Sequence, residues 1–163
     1  KYLLLLSILS YSILALTIGE ENLFKAIEEK NSQNVSSILS GDTNININVL
    51  DANGYTPIHR AIYNNDLATV NELLINSKLD IRVAIDGWYL GGASPLILAS
   101  YLGYTNIIET LLNNNANIKA KDDVDGSMAI HMAAANGNND VIKILLSKDE
   151  TIIKEILHYI GLL

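Results

Sequence analysis

The sequence contains no cysteine among its 163 residues. A disulfide framework and a cysteine-ligated zinc cluster are therefore both excluded. Basic residues are the minority, 11 Lys and Arg against 18 Asp and Glu, for a formal charge of −7. That balance argues against a nucleic-acid partner, because phosphates call for a basic stripe. Motifs that carry chemistry are missing too. No serine stands in a G-x-S-x-G context, and there is no glycine-rich phosphate loop. His59 and His131 have no nearby pair of carboxylates at ligand spacing, and His158 is isolated. The run Lys121 to Gly126 fails as a calcium loop, since it would start on Lys121 and end on Met132 where a glutamate is needed. It reads as a turn. No enzyme, cofactor or metal site is expected.

What the chain does have is repetition. In Asp51 to Leu74, the turn formers Asp51, Asn53 and Gly54 lead into Thr56 and Pro57, a hydroxyl and a proline suited to a helix start. Ile58, Ala61 and Ile62 then mark one face of a short helix. Asn64 to Asp66 break it, and Val70, Leu73 and Leu74 mark a second helix. Such a unit is too small to bury its own apolar face and needs copies of itself beside it. Aligned on Ala26, Ala61, Ala99 and Ala133, four copies follow at steps of 35, 38 and 34 residues. Val35, Val70, Ile108 and Ile142 fall at one common offset. The pairs Ile38-Leu39, Leu73-Leu74, Leu111-Leu112 and Leu145-Leu146 fall at another. Between the first two copies, Ile45, Ile47 and Val49 alternate with Asn44, Asn46 and Asn48, which predicts a short extended arm.

The pattern resembles the ankyrin repeat, whose T-P-L-H-x-A motif is matched by Thr56-Pro57-Ile58-His59-Arg60-Ala61. Ser94 to Ala99 matches with Ile97 at the histidine position, and Met128 to Ala133 keeps His131 without Thr or Pro. Glu21 to Ala26 is the weakest copy. The family's glycine between the helices stands at Gly103 and Gly137; Asn65 and Lys30 replace it in the other copies, and Lys30 leaves the shape of its turn open. The resemblance implies an all-α repeat solenoid of stacked helix-turn-helix units joined by short β-hairpin loops. Four repeats are expected over 20–147, at about 20–50, 51–85, 86–122 and 123–147. It also implies that His59 and His131 hydrogen-bond within and between turns, and that the chain binds another protein through a concave face and hairpin tips. Surface acidity fits a partner with a basic patch.

Specific residues follow from that expectation. The long connection before the third repeat carries Asp86-Gly87, then Trp88 and Tyr89, then Gly91-Gly92. Asp86-Gly87 signals a hairpin, so this stretch is either a finger presenting an aromatic anchor or a flap folded back on its neighbour. Tyr101 falls at the end of an inner helix, and Asn53 and Tyr55 flank the turn at Gly54. Trp88, Tyr89, Asp86, Tyr101, Asn53 and Tyr55 are the candidate contacts. Lys1 to Gly19 is an apolar run behind one lysine, ending on small residues before Glu20-Glu21. It has the layout of a secretory signal cleaved before Glu20, with a retained membrane anchor or a helix buried on the repeats as alternatives. The layout is similar to secreted ankyrin proteins of host-associated bacteria. A membrane-tethered scaffold, or the adaptor part of a larger enzyme, are the competing readings. Residues 148–163 suggest a C-terminal helix that either packs on the fourth repeat or opens a fifth.

Overall fold

The first, third and fourth repeats begin with a side chain that satisfies a loose N–H group at the helix start. In the second, the Thr56 hydroxyl is bonded to the His59 ring and caps no amide. Thr17 Oγ1 accepts the Glu20 amide at 3.2 Å and Glu20 Oε2 accepts the Thr17 amide at 2.8 Å, a reciprocal capping box. Ser94 Oγ accepts the Ile97 amide at 3.4 Å, and Pro57 and Pro95 occupy the first helical turn. Where the hydroxyl is lost, at Met128, His131 Nδ1 accepts the Met128 amide at 3.0 Å instead. A computed structural model describes residues 16–82, 91–149 and 151–159. Its helices are α1 (Ile18–Glu28), α2 (Ser32–Gly41), α3 (Pro57–Tyr63), α4 (Leu67–Ile75), α5 (Pro95–Leu102), α6 (Thr105–Asn113), α7 (Ala129–Ala135), α8 (Asn139–Lys148) and α9 (Ile152–Tyr159).

The first eight helices form four antiparallel pairs. The inner helices α1, α3, α5 and α7 pack side by side, and so do the outer helices α2, α4, α6 and α8. The turn inside each pair repeats to the residue. Lys30, Asn65, Gly103 and Gly137 all stand in the left-handed region, at φ of 53°, 52°, 79° and 69°. The question at Lys30 is thus answered: it adopts the same turn as the glycines. Gly54, Gly92 and Gly126, seven residues before their anchor alanines, share φ of 78°, 77° and 76°.

The anchors Ala26, Ala61, Ala99 and Ala133 are all fully buried, as are Val35, Val70 and Ile108. In the fourth repeat Val141 is buried like Thr69 and Ile107 in the same slot, but Ile142 beside it is only partly so. Ala134 is exposed where Ile27, Ile62 and Ser100 are buried, because no further helix pair covers α7 among the described residues, while Ala135 stands in a slot that faces outward in every repeat. In the first repeat Ile38 is half-buried where Leu73, Leu111 and Leu145 are fully buried, and among the described residues no helix pair precedes it; Leu39 is half-buried like Leu74, Leu112 and Leu146. Ile152, at the start of α9, is buried with the core, while Ile153 is exposed.

The β-hairpin loops expected between repeats are not strands in the described residues; only an isolated antiparallel bridge, Lys121 to Met128, occurs there. The alternation at Ile45 and Ile47 survives as burial, since both are in the core. The intervening polar residues bend the backbone rather than extend it. Asp42 Oδ1 accepts the Asn44 amide at 2.8 Å and Asn46 Oδ1 accepts the Asn48 amide at 3.0 Å. Such side-chain turns compete with ladder pairing.

Candidate partner-binding surface

Asp51 organises the best-defined arm. Its Oδ1 accepts the amides of Asn53 at 2.8 Å and Tyr55 at 3.0 Å. The Asp51 amide donates to the Tyr55 carbonyl at 2.9 Å and closes the turn over Gly54. Asp51 Oδ2 accepts from Arg60 Nε at 2.9 Å and also from the outer guanidinium nitrogen. The paired guanidinium lies 4.8 Å from the centre of the Tyr55 ring. Tyr63, three residues on and therefore on the same helical face, sits 6.0 Å from Tyr55 at a 50° tilt and is 53 % exposed. Asn53 is exposed at the tip of the turn and Tyr55 is half-buried. Tyr101 is half-buried at the end of α5, one repeat away. Asp86, Trp88 and Tyr89, and with them the choice between finger and flap, lie outside the described residues.

Arg60 and Tyr63 are the surface residues that sequence reasoning passed over. The signal was available: Arg60 fills the variable slot before the anchor Ala61, and Tyr63 follows one turn later. The same two slots hold Lys25 and Glu28 on α1, Leu98 and Tyr101 on α5, and Met132 and Ala135 on α7. Because the inner helices stand side by side, these slots form two rows across the stack. Lys25, Glu28, Tyr63 and Ala135 are exposed, Arg60, Tyr101 and Met132 are half-buried, and Leu98 is buried. The rows run from charged in the first repeat to apolar in the last.

Neighbouring arms are stapled together. Asn48 Nδ2 donates to the Lys78 carbonyl at 2.8 Å, and Asn48 Oδ1 accepts the Asp80 amide at 2.9 Å. Asn138 Nδ2 donates to the carbonyls of Ser100 and Tyr101 at 2.9 and 3.0 Å, joining the fourth repeat to the end of α5. In the turn at Lys121 to Gly126, Asp122 Oδ1 accepts the amides of Val124, Asp125 and Gly126 at 3.1, 3.0 and 3.1 Å. Its acids serve turn geometry. No group of three or more His, Cys, Asp or Glu among the described residues could hold a metal ion.

His59 is fully buried, with Nδ1 2.7 Å from the Thr56 hydroxyl. Its Nε2 faces the Ala93 backbone of the next repeat without closing a hydrogen bond of normal geometry. Desolvation pushes its pKa down to about 3. The unfolded chain therefore takes up a proton below about pH 6.5 that the folded chain refuses. Stability is full above that value and is lost as pH falls toward about 3. Urea titrations between pH 6.5 and 5 should show a slope of about 1.4 kcal/mol per pH unit that His59→Gln removes. An unchanged slope in the variant would contradict the neutral buried ring. His131, only part-buried, is shifted in the same direction, chiefly by desolvation.

Four helix pairs in register, with turns projecting from one end, define a repeat solenoid whose working surface is extended rather than pocketed. The chain belongs to the ankyrin-repeat family: the family described as ankyrin repeats (3 copies) matches residues 9–122 and 86–156. Ankyrin repeats are protein–protein interaction modules. The chain is 34% identical over 128 residues to human neurogenic locus notch homolog protein 1, an alignment covering 78% of this chain and 5% of the human protein. The protein of that name from Xenopus laevis is 34% identical over 105 residues, covering 64% and 4% respectively. Its zebrafish (Danio rerio) counterpart is 37% identical over 99 residues, covering 61% and 4%. The chain thus spans only about 5% of the length of the human relative.

Proposed function

We propose that this chain is a non-catalytic module that grips a protein partner with its inner-helix rows and arm turns. The cluster of Tyr55, Arg60 and Tyr63 carries the reading. Asp51 fixes Arg60, Arg60 covers Tyr55, and Tyr63 is left exposed beside them. An aromatic anchor held rigid before binding loses little entropy on contact, and Tyr and Arg are enriched among residues that dominate interfaces. Affinity capture from host-cell extract, followed by titration calorimetry with the purified partner, tests it. Tyr63→Ala should weaken binding by about tenfold or more while leaving the melting temperature unchanged. Wild-type affinity in both Tyr63→Ala and Tyr101→Ala would overturn the inner-row reading.

The proposal includes export by a host-associated organism, resting on the signal-like layout of Lys1 to Gly19. The cleavage point expected before Glu20 falls inside the first turn of α1. Glu20 is buried, and its Oε1 also accepts the Asn46 amide at 3.2 Å. A leader compatible with this fold ends upstream of Thr17, whose hydroxyl and amide complete the cap. No helix among the described residues is long and apolar enough to cross a membrane.

A further inference from the structure

The outer helices hold a second feature, on the face away from the inner rows. Where α2 and α4 end side by side, a groove of about 370 Å³ opens between them and the first residues of the two arms. Three of its walls are apolar: Leu39 on α2, Ile75 at the end of α4, and Ile45 on the first arm. Ile75 is 78% exposed.

The electrostatics of this groove are one-sided. Both helices direct their C-termini at it, and neither has a basic residue in its last turn. The last carbonyls of a helix lack intrahelical partners and carry the negative end of its dipole. Glu72 lines the groove and makes no hydrogen bond or ion pair among the described residues. Asp42 spends Oδ1 on the Asn44 amide, which leaves Oδ2. The chain already places one ammonium here: Lys78 Nζ reaches across the groove to donate to the Thr43 carbonyl. That contact shows that the rim accepts an alkylammonium, and it leaves Glu72 and Asp42 Oδ2 without a cation among the described residues.

We infer that this outer groove is a docking site for a basic peptide segment, in which the stem of a lysine or arginine lies between Leu39 and Ile75 and its cation reaches Glu72 and Asp42. Long cationic side chains suit such a place, since their stems cover apolar surface while their heads stay with charge. The site is separate from the inner rows, so it stands or falls independently of the partner proposed there.

The probe is a blocked hexapeptide of alternating leucine and arginine, titrated into the full chain and followed by calorimetry and by amide shifts in NMR. Binding should perturb Leu39, Glu72 and Ile75 and leave Tyr63 and Tyr101 unmoved. Glu72→Lys should weaken it about tenfold, and Lys78→Ala, which removes the resident cation, should strengthen it about threefold. The same peptide with citrulline for arginine should bind as weakly as Glu72→Lys does. Shifts confined to the inner helices, equal affinity for the arginine and citrulline peptides, or no saturation at millimolar peptide would each overturn the proposal.

Discussion

Gly92→Ala is expected to destabilise the protein by about 2–4 kcal/mol, read as a shift in the urea midpoint. Two costs add. Gly92 sits at φ +77°, where an L side chain is strained. A Cβ built there would also stand 2.3 Å from the Asp123 amide nitrogen, in the arm of the following repeat. Backbone cannot swing aside as a side-chain tip does, so the two arms would have to part. Gly126 separates the costs. It has nearly the same φ, +76°, and nothing lies within 4 Å of an added Cβ. Gly126→Ala should therefore cost only the backbone share, about 1 kcal/mol. Equal losses in the two variants would show that the arms are not packed on each other.

Leu111→Ala is expected to cost about 2–5 kcal/mol, the range for emptying a well-packed leucine site. Leu111 is fully buried in α6, with α4 on one side and α8 on the other. Ile38 occupies the same slot of the first repeat, where α2 has a neighbour on one side only among the described residues, and it is half-buried. Ile38→Ala should cost about 1 kcal/mol. The slot is the same and the chemistry nearly so; the difference is the missing neighbour. Equal costs at the two sites would mean that stability does not come from the interfaces between repeats.

The frame of this protein is legible because burial follows one short rule. An alanine at the closest approach of two helices must stay small, so Ala26, Ala61, Ala99 and Ala133 mark the register, and all four are buried. The turn at Lys30 was not legible, since a lysine stands where the three equivalent positions hold Asn or Gly, and only its φ of 53° shows the same left-handed turn. The arms were harder. Alternating Ile and Asn in Asn44 to Val49 fits a strand as well as a chain of side-chain turns, and only the Asp42 and Asn46 hydrogen bonds decide between them. End effects were hidden as well. Ala134 looks like a helix-contact residue until one sees that no inner helix follows α7 among the described residues. At the candidate surface, Asn53, Tyr55 and Tyr101 could be placed from their positions in the repeat. Arg60 was overlooked because its role depends on Asp51, nine residues back, and that pairing exists only once the turn at Gly54 has formed.

The claim beneath all of this is that each helix pair is held by its neighbours. Amide hydrogen exchange on the native protein measures that directly, one residue at a time. Protection should be highest in α3 and α5, which have inner helices on both sides, and should fall through α1 and α2 at one end and α8 and α9 at the other. Protection that is uniform along the chain, or greatest in the end repeats, would contradict a structure stabilised from neighbour to neighbour.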